Sequence, residues 1–99
     1  MFDIRFGEGS EIILEGRLDA SQVDKAKEFF ARVTTSSTMD FKGLQYISSA
    51  GLGVLLAAQK KLTESGQKLK IRGMNDHIRD VFRYARFDLI FDIELISVQ

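Results

Sequence analysis

The chain has 99 residues, enough for one domain around one apolar core, and 44% of them are hydrophobic, including eight Phe. Its 14 basic and 14 acidic residues cancel, so it lacks the basic excess of a protein that binds nucleic acid. Cysteine is absent, which excludes disulfides and thiolate chemistry. No apolar run approaches the ~20 residues that span a bilayer, and the charged N-terminal stretch lacks a signal-peptide core. We therefore expect a cytoplasmic protein, one domain over residues 1–99, without membrane insertion.

The N-terminal part of the chain predicts a hairpin followed by a helix. Phe2–Phe6 alternates apolar and polar residues, Gly7–Ser10 is typical of a turn, and Glu11–Leu14 predicts a second strand. Asp19 is a candidate N-cap of the first helix, and Gln22 stands three residues later, as in a capping box. The predicted buried face of this helix consists of Val23, Ala26, Phe30 and Val33.

The middle of the chain predicts a short strand and a long helix. The strand is predicted at Thr38–Phe41, with Lys42–Tyr46 as its connection to the helix. Either Ser48 or Ser49 is placed to cap that helix, which is expected to end at Ser65-Gly66. Its predicted buried stripe consists of Leu52, Leu55, Leu56 and Leu62.

The C-terminal part predicts a strand at Lys68–Arg72, a third helix capped by Asn75, and a final strand at Ile93–Val98. The inward face of the third helix is expected to be Ile78, Val81, Phe82 and Ala85. Because the later strands are separated by helices too long for hairpins, this order favours a mixed α/β fold in which helices cover a sheet.

No constellation of residues predicts catalysis. His77 is the only histidine, and we interpret it as a solvated side chain. The acidic residues show no spacing typical of a metal site or a glycosidase, and phosphate-binding, dinucleotide-binding and nucleophile-elbow motifs are absent. The sequence therefore predicts a protein that is not an enzyme and uses neither a metal nor a cofactor. From spacing alone, a serine before the second helix is a cap, and Gly51 permits close packing of helix on sheet.

Three separated segments together resemble one family. The central segment has an aspartate, an aromatic–apolar pair, a serine turn and Gly-Leu-Gly. The flanking segments are a Gly-x-Leu-Asp before the first helix and a Leu/Phe-rich return into the last strand. In chain order the residues are Gly16–Asp19, Asp40, Tyr46-Ile47, Ser48-Ser49, Gly51-Leu52-Gly53 and Phe87–Ile93. This pattern resembles the STAS domain family and, within it, the anti-sigma factor antagonists.

The resemblance implies a curved, mostly parallel sheet with an N-terminal hairpin and helices packed mainly on one side. It also implies partner switching, in which the unmodified protein binds an anti-sigma factor with serine kinase activity and so releases a sigma factor. Phosphorylation of one serine blocks this binding and a serine phosphatase restores it. The family's acceptor position falls on Ser49. Many members have an acidic residue immediately before the acceptor, whereas this chain has Ser48, and the two adjacent serines leave Ser48 as the alternative acceptor.

We expect a monomer whose partner-binding surface includes Asp19, Ser21, Gln45, Tyr46, Ser48, Ser49, Ala50 and Gly51. Two other functions fit the family. One is a subunit or scaffold of a larger complex, such as a lipid-transport ATPase or a stress-sensing assembly, that is never phosphorylated. The other is a module that binds a small ligand or nucleotide. Co-purified partners separate the first from the antagonist, and nucleotide titration tests the second.

Overall fold

The computed structural model describes residues 1–94. Its strands are β1 (Phe2–Phe6), β2 (Ile12–Leu18), β3 (Ser37–Ile47), β4 (Leu69–Arg72) and β5 (Asp92–Ile93). Its α-helices are α1 (Val23–Phe30), α2 (Ser49–Glu64) and α3 (Asp76–Tyr84), and short 3₁₀ turns lie at Ala20–Gln22 and Phe87–Leu89.

The five strands form one sheet in the order β1-β2-β3-β4-β5. β1 and β2 are antiparallel, and each of the other neighbouring pairs is parallel. The amide of Gly7 donates to the carbonyl of Glu11 at 2.7 Å and closes the turn of the N-terminal hairpin. The predicted mixed α/β fold, its hairpin and its mostly parallel sheet are therefore confirmed.

The helices cover one face of the sheet. Alternate residues of β1, β2 and β4 are buried, and the rings of Phe41 and Phe82 meet at 5.9 Å between centroids, joining β3 to α3. Residues of the opposite face, such as Arg5, Arg17 and Lys70, are exposed. The side chains that the strands contribute to the core are Phe2, Ile4, Ile12, Leu14, Leu18, Met39, Phe41, Leu44, Ile47, Leu69 and Ile71.

The strand predictions were wrong at β2 and β3, which are both longer than expected. β2 continues to Leu18, and the predicted connection Lys42–Tyr46 belongs to β3. The register between these strands shifts twice, and each shift leaves one extra residue in β3. The buried residues of β3 therefore lose the period of two that identifies a strand. Asp40 lies inside β3, where its Oδ1 accepts the amide of Lys42 at 2.9 Å across the first shift.

The helices are close to those predicted, with differences in detail. Asp19 caps the 3₁₀ turn at Ala20–Gln22, whereas α1 itself begins with no side-chain cap. Phe29 was missing from the predicted buried face of α1, and Val33 is buried just beyond its end. Leu56, predicted to be buried, is 38% exposed because it lies about 100° around the helix from Leu55.

The later elements agree with the predictions where the structure describes them. Gly66 follows the end of α2 with a φ of +77°, as expected of a glycine stop. The Oδ1 atom of Asn75 accepts the amide of Ile78 at 2.8 Å and caps α3, whose buried residues are Ile78 and Phe82. β4 begins one residue later than predicted and β5 one residue earlier. Most of the predicted final strand, residues 95–98, lies outside the described residues.

Candidate functional site

Two loops meet at the carboxyl ends of β2 and β3. Leu18 and Ile47 are register partners at the ends of these parallel strands, so the segments that follow them start side by side. The amide of Ser48 donates to the carbonyl of Leu18 at 3.0 Å, which ties the second segment to the first. The structure therefore brings together the loop of Asp19 and Ser21 and the first turn of α2.

Adjacent serines at the start of α2 have different environments. Ser48 is the N-cap, and its Oγ accepts the amide of Gly51 at 3.1 Å. Ser49 is the first residue of the helix and is exposed, and its hydroxyl takes part in no side-chain hydrogen bond found among residues 1–94. Of the two candidate caps in the sequence, Ser48 has that role, and the Ser49 hydroxyl is accessible.

Gly51 lets α2 lie directly on the end of β2. It is buried, and a Cβ atom at this position would lie 2.8 Å from both Cγ and the carbonyl oxygen of Leu18 and 2.9 Å from Cγ1 of Ile47. The close packing predicted for this glycine is confirmed. Gly51 thus holds the first turn of α2 against the ends of β2 and β3, while its neighbour Ala50 is exposed.

Asp19 organises the other half of the site. Its Oδ1 accepts the Ser21 hydroxyl at 2.6 Å and the Ser21 amide at 3.0 Å. The hydrogen bond from the hydroxyl is the main reason that the pKa of Asp19 is lowered from its ordinary value. The loop therefore presents an ionised carboxylate and a bound hydroxyl beside the start of α2, with Ser21 itself exposed.

Gln45 and Tyr46 lie in β3 and not in a loop as predicted. Gln45 is exposed, whereas Tyr46 is half-buried on the sheet face that the helices leave open. The guanidinium carbon of Arg17 lies 4.3 Å from the centre of the Tyr46 ring, a cation–π contact. Tyr46 therefore packs against Arg17, its register partner in β2, and not beneath the serine turn.

Sequence reasoning missed Leu18 and Arg17 as parts of the site. Leu18 acts through its backbone carbonyl, which carries no residue-specific signal. The contact of Arg17 depends on the shifted register of β2 and β3, which neither strand shows alone. Had β3 been predicted to extend to Ile47, pairing it with β2 would have placed Arg17 beside Tyr46.

The described residues include no group of three or more His, Cys, Asp or Glu side chains placed to hold a metal ion. His77 is exposed in the first turn of α3, as expected. Within residues 1–94, no helix combines the length and apolar character needed to cross a membrane.

Comparison with solved structures shows the same fold in anti-sigma factor antagonists. A Thermotoga maritima protein that carries the name of an anti-sigma factor antagonist matches with a TM-score of 0.76 and 19% identity, over 97% of this chain and 88% of that one. Unphosphorylated SpoIIAA matches with a TM-score of 0.67 and 18% identity, over 98% of this chain and 90% of that one. The phosphorylated form of Bacillus SpoIIAA matches with a TM-score of 0.69 and 16% identity, over 96% and 92% of the two chains. At these identities the likeness concerns the fold.

Sequence comparison supports a closer relationship. BtrV of Bordetella bronchiseptica, which carries the name of an anti-sigma factor antagonist, is 39% identical over 80 residues, or 81% of this chain. The matched part spans 62% of the length of BtrV. The family model described as "Mlab, STAS domain" matches residues 5–96. The chain belongs to the STAS domain family.

Proposed function

We propose that this protein is an anti-sigma factor antagonist that works by partner switching. In its unmodified form it binds an anti-sigma factor that is also a serine kinase, and the bound sigma factor is released. The kinase transfers the γ-phosphoryl group of ATP to the Ser49 hydroxyl with release of ADP and the hydroxyl proton, and the phosphoserine weakens the complex. A serine phosphatase hydrolyses the phosphate ester and restores binding. The protein acts by binding and performs no catalysis of its own.

The observation that carries this proposal is the different environment of the two serines. The Ser48 oxygen is engaged as the cap of α2, so modifying it would remove a hydrogen bond of the fold. The Ser49 hydroxyl is exposed and free of such a role. A kinase needs an accessible hydroxyl, and its product should leave the fold intact, so Ser49 is the favoured acceptor.

The protein itself should accept a phosphate at Ser49. Amide groups of the first turn of a helix lack intrahelical acceptors, and the helix dipole favours negative charge there. The first turn of α2 itself contains no acidic side chain, and the Asp19 carboxylate of the neighbouring loop already accepts the hydroxyl and the amide of Ser21. Phosphorylation should therefore change neither the fold nor the position of Ser49.

The anti-sigma factor, by contrast, should bind the phosphorylated protein poorly. A phosphoserine carries about 1.5–2 negative charges near neutral pH, and their effect is confined to about 8–10 Å by salt. Ser49 must therefore lie inside the footprint of the partner. Burying an unmatched charge there is costly, and a loss of about 3 kcal/mol would weaken binding by more than a hundredfold.

The rest of the surface that the partner covers should consist of the exposed groups around Ser49. Ala50 and Ser21 are exposed beside it, and Asp19 offers a carboxylate that is only partly occupied by Ser21. Gln45 is exposed at the end of β3, and Tyr46 contributes its remaining exposed edge. Gly51 supports this surface from within.

Phosphopeptide mass spectrometry of the protein from its own cells tests the proposal. We expect phosphate on Ser49 in the wild type and in Ser48→Ala, and none in Ser49→Ala. The Ser48→Ala variant is the matched control, because it removes the neighbouring hydroxyl and leaves the acceptor. Phosphate found only on Ser48 would contradict the assignment.

The same measurement separates the antagonist from an unmodified subunit of a larger complex. If neither serine carries phosphate in growing, stressed and stationary cells, and the partner that co-purifies lacks a kinase domain, the switching mechanism is wrong. A nucleotide titration that shows specific binding would instead favour a ligand-binding module.

A further inference from the structure

A groove runs between α1 and α2 beyond the serine turn. Its volume is about 220 Å³ and its floor consists of the buried side chains of Phe30, Val54 and Ala58. Its rim consists of the exposed residues Lys27, Ala31, Ala57 and Lys61. The groove thus has an apolar floor with a lysine from each helix on its rim.

We infer that this groove receives an amphipathic helix of the anti-sigma factor, with an apolar side chain on the floor and acidic residues beside Lys27 and Lys61. The inference rests on the proposed function and extends its surface along α2. Helices of this kind bind apolar grooves through anchors spaced three or four residues apart.

The charge of the rim selects an acidic occupant. The groove is lined by Lys27 and Lys61 and by no acidic side chain. Neither lysine forms an ion pair within residues 1–94, although seven ion pairs are formed elsewhere in this part of the chain. Lys61 donates to the carbonyl of Ala31 at 3.3 Å, which leaves it further donors, since an ammonium group has three.

The surface of α2 is continuous from the acceptor to the groove. Ala50, Gly53, Ala57 and Lys61 follow one another at intervals of three and four residues, so they share one side of the helix. The first three are exposed, and a Cβ atom on Gly53 would meet nothing within 4 Å. From Ser49 to Lys61 the helix rises about 18 Å, and small side chains along it permit close approach of a partner helix.

Other occupants fit less well. The groove is smaller than the roughly 300–1,000 Å³ typical of pockets for small molecules. A second copy of this protein, related by a two-fold axis, would bring the lysine rims of the two grooves together. Repulsion between these like charges disfavours such a dimer. A helix with acidic residues meets both the apolar floor and the charged rim.

A peptide titration followed by NMR tests the groove without requiring the natural partner. The probe is a 16-residue helical peptide with leucine anchors and flanking glutamates, and its control replaces each glutamate with lysine. We expect the acidic peptide to shift the methyl signals of Val54, Ala57 and Ala58 in the wild-type protein, and the basic peptide to leave them unchanged. Equal shifts with both peptides, or none at millimolar concentration, would overturn the inference.

Matched variants test the same surface against the purified anti-sigma kinase. Lys27→Glu should weaken binding by about tenfold through charge repulsion, whereas Lys60→Glu, which makes the same charge change outside the groove, should change it less than about twofold. Ala57→Leu should block the groove, with Lys60→Leu as the apolar control. Thermal unfolding of each variant shows whether the fold is retained.

Two outcomes keep the inference separate from the proposed function. If Ser49→Asp abolishes binding while Lys27→Glu and Ala57→Leu bind as the wild type does, the groove inference is wrong and the switch stands. If Ser49→Asp binds as the wild type does, the switch is wrong, and the peptide titration still decides whether the groove accepts an acidic helix.

Discussion

Helices α2 and α3 both leave the carboxyl end of the sheet, and their first turns are built alike but charged differently. Ser48 caps α2 through the amide of Gly51 at 3.1 Å, and Asn75 caps α3 through the amide of Ile78 at 2.8 Å. α3 carries Asp76 in its first turn, whereas the first turn of α2 has no acidic residue. The favourable position for a negative charge is thus permanently filled in α3, and in α2 it is occupied by the exposed hydroxyl of Ser49.

This difference fits the switch proposed above, because the residues that hold the first turn of α2 differ from the residue proposed to carry the charge. Ser48 caps the turn and Gly51 packs it on the sheet. In the proposed mechanism, phosphorylation of the exposed Ser49 would change the charge without removing either contact.

The largest effect on stability is expected from Gly51→Ala. The added Cβ would lie 2.8 Å from the carbonyl oxygen of Leu18, and backbone cannot move aside as a flexible side chain can. Overpacking of this kind costs about 1–3 kcal/mol, and we expect the upper part of that range. Gly53→Ala is the control, because its Cβ meets nothing within 4 Å and alanine favours the helix by about 1 kcal/mol. Urea unfolding measures both, and equal stability of the two variants would contradict the packing assigned to Gly51.

Removing either cap should cost less. Ser48→Ala and Asn75→Ala each lose a side-chain acceptor for a first-turn amide, so each should lower the free energy of unfolding by about 1 kcal/mol. Ser49→Ala should leave it nearly unchanged. If urea unfolding shows Ser49→Ala to be as destabilising as Ser48→Ala, the division of roles between the two serines is wrong.

Charge changes in the first turns should have smaller and opposite effects. Ser49→Asp should raise the free energy of unfolding by about 0.3–1 kcal/mol through the dipole of α2. Asp76→Asn should lower it by removing the charge already present in α3. Both effects should shrink at high salt, because these positions are exposed. A Ser49→Asp variant that is clearly less stable than the wild type at low salt would contradict the tolerance proposed for phosphate.

The smallest expected effect on stability comes from the ionisation of Asp19. The Ser21 hydroxyl lowers the pKa of Asp19 in the folded protein, so the ionised carboxylate stabilises the loop above the pKa of an unfolded aspartate. This contribution is lost as the pH falls through the lower folded pKa. An NMR titration of the Asp19 carboxyl carbon should find a pKa below the ordinary value, and Ser21→Ala should move it upward. An unchanged titration in Ser21→Ala would show that another group controls Asp19.

Local chemistry made the helices and their caps predictable from the sequence. Asn75 and Gly66 act through neighbours within four residues, so their spacing alone reveals them. β3 was predicted too short because its extra residues exist only relative to β2, and a register shift has no signature in one strand. The contact between Arg17 and Tyr46 was missed for the same reason.

The sequence placed the candidate residues next to one another but did not show how the environments of Ser48 and Ser49 differ. The motif indicated two adjacent serines before α2, and either of them fits a cap by spacing. The geometry separates them, because the Ser48 oxygen reaches the Gly51 amide while Ser49 faces outward. Burial also separates Leu56 from Leu55, since the direction of the core around α2 depends on how this helix packs against the sheet and α1.

The most direct test of the proposed switch is the affinity of the purified protein for the proposed anti-sigma kinase, measured by calorimetry for wild type, Ser49→Asp and Ser48→Ala. We expect Ser49→Asp to bind more than about a hundredfold more weakly at unchanged fold, while Ser48→Ala, which removes a hydroxyl without adding a charge, weakens binding by less than about tenfold. Equal affinity of Ser49→Asp and wild type would contradict the claim that a negative charge at Ser49 decides partner binding.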